Sequence, residues 1–270
     1  YHTPYHGDAT YRGYPAIPRD KLFAQVLALH KAGYQLAIHG NGDAAIEDIL
    51  DAFEAAQKAH PVADPRMILV HSQMAREDQV ARMKALGVTP SFFSAHTWYW
   101  GDRHRDIFIG PERAAQISPA GWAQQHGLRF SSHLDTPVTP MLPLQAVWSQ
   151  VNRTTYGGDV LGPEQRISAM DALRAVTIDA AWQVFQEGEL GSLEPGKYAD
   201  LVVLSGNPLD DPIGMRELEV EQTKSRRRAL ELQQSRIKTN TEYQAMQREV
   251  EDLRRRASDG DRRRAALRGV

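Results

Sequence analysis

The sequence predicts an α/β fold in which strands and helices alternate around a parallel sheet or a barrel. Short apolar runs, typical of buried strands, alternate with segments that have helical spacing or end at a glycine. Three of these runs end at or near a histidine, and a fourth is followed by a histidine and an aspartate. Because the carboxyl ends of parallel strands open on one face, we expect these polar side chains to meet there.

The composition limits the class of protein. Hydrophobic residues make up 41% of the 270 residues, which is enough for a core, and the net charge of −2 gives no reason to expect nucleic acid. The absence of cysteine excludes disulfides, thiolate catalysis and cysteine zinc ligands. No apolar run reaches the roughly 18 residues of a membrane helix and no signal peptide opens the chain, so we expect a cytoplasmic protein. Residue 1 is not Met, so we expect the sequence to begin partway through a longer protein.

The first 31 residues predict a loop followed by a helix. Residues 1–18 are rich in Gly, Pro and Tyr and lack periodicity, which is typical of a loop. A helix is predicted over residues 18–31, and its expected buried face consists of Leu22, Val26 and Leu29.

The stretch from Tyr34 to Phe53 predicts a strand, a tight turn and a helix. Residues 36–38 are apolar, and apolar residues recur at helical spacing up to Phe53. Residues 39–43 between them contain two glycines, and Asp43 is placed to cap the helix. A histidine on such a strand-to-helix turn lies where parallel α/β enzymes place their chemistry, although a lone histidine there is more often a structural residue.

The following segments repeat this pattern. Residues 66–70 predict a second strand ending at His71, and a helix is predicted from Glu77 to Leu86. Residues 88–93 predict a third strand, with His96 just beyond it. The aromatic segment 94–112 is predicted to be a long loop and a candidate substrate wall.

A fourth strand is predicted over residues 128–132, with His133 and Asp135 immediately after it. Histidine and carboxylate ligands suit zinc or a similar divalent ion. Each residue also has a structural interpretation, since His71 could be a core histidine and Asp135 a turn residue. Their shared position favours a metal site, for which the candidate ligands are His39, His71 and Asp135. Weaker candidates, assigned to substrate contact, are His96, His133 and Trp98.

Four segments of the sequence resemble the amidohydrolase superfamily, and specifically its family-3 branch. They are IHGNGDAAIEDILDAFE, ILVHSQM with the following ALGVTPSF, HLDTPV, and GSLEPGKYADLVVLSGNPL. The resemblance covers residues 1–224. It implies that residues 1–187 are a portion of a (β/α)8 TIM-type metallohydrolase barrel. Residues 188–224 would return into a small β-sandwich, with strands at 199–204 and 219–223.

The resemblance also implies an activity, the hydrolysis of carbon–nitrogen bonds outside peptides in a small amide-like substrate. His39 and His71 would bind a divalent metal, most readily zinc, and Asp135 would be both a ligand and the general base. The family carries a His-x-His pair on its first strand, and no such pair occurs in this chain. We therefore expect the second half of a barrel, with reduced activity.

The carboxyl-terminal residues 225–270 differ in composition from the rest. Residues 213–270 carry a net charge of +5, against −7 for residues 1–212. Apolar residues with heptad spacing predict a coiled-coil-like helix and self-association through it; they are Tyr243, Met246, Val250, Leu253 and Ala257. Segment 225–258 also loosely resembles the helical hairpin of bacterial zinc-ribbon proteins. The alternative to a hydrolase is therefore a non-catalytic amidohydrolase fragment that interacts with partners through this helix.

Overall fold

A computed structural model of the chain describes residues 1–214, and the chain divides into two units after Asp200. The first unit contains a parallel four-stranded sheet in the order β1-β2-β3-β4. Its strands are β1 (Ala37–Gly40), β2 (Met67–His71), β3 (Val88–Phe92) and β4 (Ser131–Ser132). The parallel α/β architecture predicted from the sequence is confirmed.

Helices connect and follow these strands. The α-helices are α1 (Arg19–Lys31), α2 (Asp43–Ala59), α3 (Glu77–Leu86), α4 (His96–Arg103), α5 (Pro111–Ala115), α6 (Ala120–Gln125), α7 (Pro143–Asn152), α8 (Ala169–Ala175) and α9 (Ile178–Gln183). A π-helical turn, His104–Phe108, continues α4, and a 3-10 turn, Pro163–Gln165, precedes α8. Within residues 1–214, no helix combines the length and apolar character needed to cross a membrane.

The predicted helices α1, α2 and α3 are confirmed, with one correction to the face that α1 buries. Helix α3 ends at Leu86, where Gly87 adopts a left-handed backbone with φ 68°. Helix α1 buries Val26 and His30, whereas Leu29 is 46% exposed. The buried stripe follows four-residue spacing, and Leu29 falls to one side of it.

The segment 94–112 was predicted to be a loop, and this was wrong. It forms α4, the π-helical turn and the start of α5. Thr97, Trp98 and Gly101 are buried on one side of α4, at helical spacing. The buried side of this segment therefore packs a helix against the rest of the unit, where the sequence analysis expected a loop.

Two predicted strands also differ from the structure. The strand expected over residues 128–132 is reduced to Ser131–Ser132, which pair with Ser91 and Phe92. Residues 199–204 do not form a strand, and Val203 is 91% exposed. A strand requires backbone pairing, and nothing in residues 1–214 pairs with this segment. The expected sandwich strand at 219–223 and the coiled-coil helix lie outside the described residues.

The sheet has one face covered by helices and another that carries polar groups. Gly40 faces α2, since a Cβ atom there would lie 2.7 Å from Cδ1 of Ile49. On the opposite side of β1, Ala37 and His39 are exposed. The strand register places Thr89 and Ser91 of β3 on this second face as well. We call it the inner face, because the functional side chains described below lie at its carboxyl end.

The buried guanidinium of Arg153 binds three backbone carbonyl groups. It donates to the carbonyl oxygens of Leu161 (2.7 Å), Ala115 (3.1 Å) and Ser118 (3.4 Å). Burial lowers the pKa of Arg153 to about 10. Because the amide of Ser118 donates to the carbonyl of Gln73, this arginine fixes the loop that follows β2.

Substitution of Gly162 by alanine is expected to destabilise the chain by more than substitution of Gly127. Both glycines have φ 61°, so both variants carry the same left-handed backbone penalty of about 1–2 kcal/mol. A Cβ at Gly162 would lie 1.7 Å from the carbonyl oxygen of Ala115, whereas a Cβ at Gly127 meets nothing within 4 Å. Thermal unfolding of Gly162→Ala and Gly127→Ala measures the difference, about 2–4 °C for each kcal/mol. Equal melting temperatures would contradict this packing.

Candidate metal centre

The left-handed backbone at the end of β2 turns His71 toward the inner face. Strand alternation from Leu69 would direct His71 to the face that packs on α2. His71 has φ 68° and Ser72 has φ 49°, which interrupts the alternation. The His71 ring instead lies against the rings of His39 (4.5 Å between centroids) and His133 (4.8 Å). Two consecutive non-glycine residues with positive φ are costly, and such strain concentrates at functional sites.

His71, His133 and Asp135 form the group of mutually close metal-ligand atoms in the described part of the chain. One nitrogen or carboxylate oxygen from each lies within 4.8 Å of the other two. Nε2 of His133 and Nδ1 of His71 are 2.9 Å apart and share a hydrogen bond. Asp135 also has a left-handed backbone, with φ 52°, in the turn after β4. The tertiary structure therefore joins residues that are 64 positions apart in sequence.

His39 lies beside this group on the neighbouring strand. His39 is exposed, and its Nε2 lies 3.4 Å from Nδ2 of the Asn41 side chain. The loops after β1 and β2 are joined by a hydrogen bond from the amide of Met74 to the carbonyl of Asn41. His39 therefore lies beside the site, but the group of three ligand atoms within 4.8 Å of one another contains His133 in its place.

Burial favours the neutral form of the His71 and His133 imidazoles. Burial and the neighbouring His39 lower the pKa of His71, and the charge of Asp135 opposes this shift. Burial lowers the pKa of His133 to about 4. A neutral imidazole has one nitrogen lone pair free to bind a metal, so burial prepares these side chains as ligands.

A wall of aromatic and imidazole rings adjoins the group. His96 lies 4.1 Å from Phe93, 5.4 Å from Trp100 and 5.9 Å from His104, measured between ring centroids. Burial lowers the pKa of His96 to about 2 and that of His104 to about 4. Nδ1 of each ring is buried without a hydrogen-bond partner within residues 1–214. These two nitrogens therefore have unused hydrogen-bonding capacity.

His104 was not predicted from the sequence, although a signal for it exists. Residues 96, 100 and 104 follow four-residue spacing, so a helical interpretation of the segment would have placed His96, Trp100 and His104 on one face. The error of calling the segment a loop concealed this face. The amide of Gln73, after β2, contacts Nε2 of His104 at 2.9 Å and holds the ring in place.

The structure places Trp98 in the packing of the unit. Its side chain is 2% exposed, and its ring lies 5.3 Å from Trp148 of α7 and 5.4 Å from Tyr156. These contacts pack α4 against α7, and the assignment of Trp98 to substrate contact stays a prediction. Trp100 is the indole that contacts the imidazole wall.

The donor set fits a divalent cation. Two neutral imidazoles and one carboxylate with converging ligand atoms are the donor types that zinc and similar ions take from proteins. The exposure of Asp135 and His39 leaves the group open to solvent, as a hydrolytic site requires. The residues present therefore fit the ion implied by the sequence.

The chain matches a known protein family and several of its members. The sequence pattern described as the amidohydrolase family matches residues 2–226. The chain is 32% identical over 218 residues to an N-substituted formamide deformylase of Arthrobacter pascens, covering 80% of this chain and 40% of that enzyme. It is 34% identical over 203 residues to the protein LONG AFTER FAR-RED 3 of Arabidopsis thaliana, covering 74% of this chain and 34% of that protein.

Solved structures show the same relationship. An uncharacterized metal-dependent hydrolase from Pyrococcus horikoshii aligns with a TM-score of 0.66 and 27% identity, covering 77% of this chain and 41% of that one. A metal-dependent hydrolase from Pyrococcus furiosus aligns with a TM-score of 0.65 and 26% identity, covering 77% of this chain and 41% of that one. The chain spans less than half the length of these relatives. Because the family's sequence pattern matches residues 2–226, the chain belongs to the amidohydrolase family.

Proposed function

We propose that the chain carries the catalytic end of a metal-dependent hydrolase acting on non-peptide carbon–nitrogen bonds. The observation that supports this most is the convergence of His71, His133 and Asp135 within 4.8 Å, in a chain of the amidohydrolase family. The ion in this proposal is zinc, the substrate is a small amide-like molecule, and the location is the cytoplasm.

The proposed ligands are His39, His71 and Asp135, as predicted from the sequence, together with His133. A divalent ion in such a site supplies a water molecule of lowered pKa. Asp135 is exposed, and with an ion bound its carboxylate would serve as the general base that passes a proton to the departing nitrogen. Burial keeps the His71 imidazole in position, and the hydrogen bond between Ser91 and Nδ1 orients that of His133.

The wall beside the group favours an uncharged substrate. His96 and His104 are neutral and buried, and they adjoin the aromatic rings of Phe93 and Trp100. Such a surface accommodates an apolar substituent and offers imidazole nitrogens to an amide oxygen or nitrogen. One relative is a deformylase of N-substituted formamides, which supports the amide class for this chain too.

We further propose that residues 1–187 form the second half of a (β/α)8 barrel. The exposed inner face of β1, with Ala37 and His39, is the surface that four more strands would cover. The absence of a His-x-His pair from the sequence removes two imidazoles that the family resemblance leads us to expect. Metal binding by the isolated chain is therefore expected to be weak.

Zinc binding and zinc-dependent hydrolysis test this function directly. Elemental analysis after dialysis is expected to find well under one zinc per chain, because part of the donor set is missing. Hydrolysis of a panel of N-acyl and cyclic amides is expected to be slow and to rise with added zinc. The variant His71→Ala removes a buried metal ligand of the group and is expected to abolish the response to zinc.

Two outcomes would change the proposal. One tightly bound zinc per chain with clear turnover would show that the donors present suffice, and the expectation of a half-barrel with weak metal binding would be wrong. No zinc binding and no hydrolysis at any zinc concentration would favour the alternative of a non-catalytic chain that associates through its carboxyl-terminal segment.

A further inference from the structure

We propose that Gln183 is a positioning residue that sets the tautomer of His133, acting through Ser131 and Ser91. These side chains form one continuous buried path from the end of α9 to the candidate metal centre. Gln183, Ser131 and Ser91 are all buried, so water does not compete for their hydrogen bonds. The effect of this path on metal binding rests on the proposed function. The tautomer of His133 follows from the hydrogen bonds alone.

Backbone carbonyls fix the orientation of the Gln183 amide. Its Nε2 lies 2.9 Å from Oγ1 of Thr89 and 3.1 Å from the carbonyl oxygen of Pro90. The hydroxyl of Thr89 donates its own proton to the carbonyl of Arg129 at 2.9 Å, so it can only accept from Gln183. A flipped amide would place two oxygens against each other at Pro90. Nε2 therefore donates both protons here, and Oε1 must face Ser131 as an acceptor.

The two serines then have only one possible pattern of donation. Oγ of Ser131 lies 2.6 Å from Oε1 of Gln183 and must donate its single proton there. Oγ of Ser131 also lies 2.9 Å from Oγ of Ser91. Because the one proton of Ser131 is already donated to Gln183, we infer that Ser91 is the donor in this contact. Since Ser91 has used its proton, it can only accept at its next contact.

That next contact is Nδ1 of His133, at 2.9 Å from Oγ of Ser91. Nδ1 must carry the proton, and in the neutral ring the lone pair then lies on Nε2. Nε2 is the atom that lies 2.9 Å from Nδ1 of His71, inside the group that also contains Asp135. The path therefore presents an unprotonated nitrogen to the place where a cation would bind, as the outer partners of metal-binding histidines do.

Nuclear magnetic resonance of the metal-free 270-residue chain tests the assignment. Histidine labelled with ¹⁵N is measured at pH 8, above the ordinary imidazole pKa of about 6.5, and the His133 signals are identified by their loss in His133→Gln. The wild type is expected to show His133 with the proton on Nδ1. In Gln183→Met and Ser131→Ala, the hydroxyl of Ser91 is free to donate to Nδ1, so the tautomer with the proton on Nε2 is expected to gain population.

Ser132→Ala is the matched control, because Ser132 is the adjacent serine of β4 and its hydroxyl donates instead to the carbonyl of Phe92. Zinc affinity, measured by competition with a chelator, is expected to fall about 10- to 100-fold in Ser131→Ala relative to Ser132→Ala. Circular dichroism establishes that each variant is folded, and having two test variants keeps the result decisive if one does not fold.

A wild-type His133 protonated on Nε2 would overturn the proposal. So would a ring that stays protonated on Nδ1 in both test variants, since His71 alone would then hold the tautomer. A wild type with the expected tautomer and the expected changes in the variants, but without zinc binding, would support the positioning role of Gln183 while refuting the proposed metal centre.

Discussion

Replacement of Asp135 by asparagine is expected to lower the zinc-stimulated hydrolysis rate of this chain by about 10²- to 10⁴-fold. Asparagine keeps the shape of the side chain but cannot accept a proton from water at neutral pH. Its amide also lacks the charge that holds a cation among the ligand atoms of His71 and His133. The measurement is kcat at a zinc concentration that saturates each variant, together with the zinc affinity.

Asp20→Asn is the control for loss of a carboxylate, because Asp20 is exposed in the first turn of α1 and lies outside the candidate metal centre. Its kcat is expected to equal that of the wild type. A fall in kcat at saturating zinc identifies Asp135 as the base, and a parallel loss of affinity identifies it as a ligand as well. Retention of more than a tenth of the wild-type rate by Asp135→Asn would exclude it as the base.

Acid is expected to destabilise the metal-free chain from about pH 6.5 downward, which is above the range in which carboxylates titrate. Burial lowers the pKa of His104 and His133 to about 4 and that of His96 to about 2. In the unfolded chain these imidazoles titrate near their ordinary pKa of about 6.5. Below that pH the unfolded state binds more protons than the folded state, so the free energy of unfolding falls as the pH falls.

The expected loss is large compared with the stability of a domain. Between pH 6.5 and 4, each of these histidines removes up to about 1.4 kcal/mol per pH unit, against a typical total of about 5–15 kcal/mol. Circular dichroism of the chain in chelator, titrated from pH 8 to 4, measures the midpoint. Above pH 6.5 the three groups contribute their full stability, so no loss is expected there from this cause.

His104→Gln tests the origin of this acid lability. The variant removes one buried titrating ring while keeping a side-chain acceptor for the amide of Gln73, so the midpoint is expected to move to lower pH. His126→Gln, at the surface beside Glu77, is the control for loss of an imidazole elsewhere. An unchanged midpoint in His104→Gln would show that burial of this ring does not govern the response to acid.

The sequence by itself determined the parallel α/β architecture and the positions of helices α1, α2 and α3. Helix α3 begins at Glu77 and ends before Gly87 because charge, periodicity and a left-handed glycine act within a few residues of one another. The positions of His39, His71, His133 and Asp135 at the carboxyl ends of strands follow from equally local patterns. The resemblance of four motifs to the amidohydrolase family was confirmed for the same reason, since each motif is continuous in the chain.

Only the tertiary structure decided which of these side chains meet. His71 joins His133 because two residues with positive φ turn it away from the direction that strand alternation predicts. The helix after Phe93 is stabilised by the packing of Trp98 against Trp148 of α7, which is 50 positions away in sequence. Gln183 reaches His133 only through two serines that β3 and β4 place side by side. These outcomes depend on contacts between distant segments and on backbone strain stabilised by those contacts, and neither is visible in local periodicity.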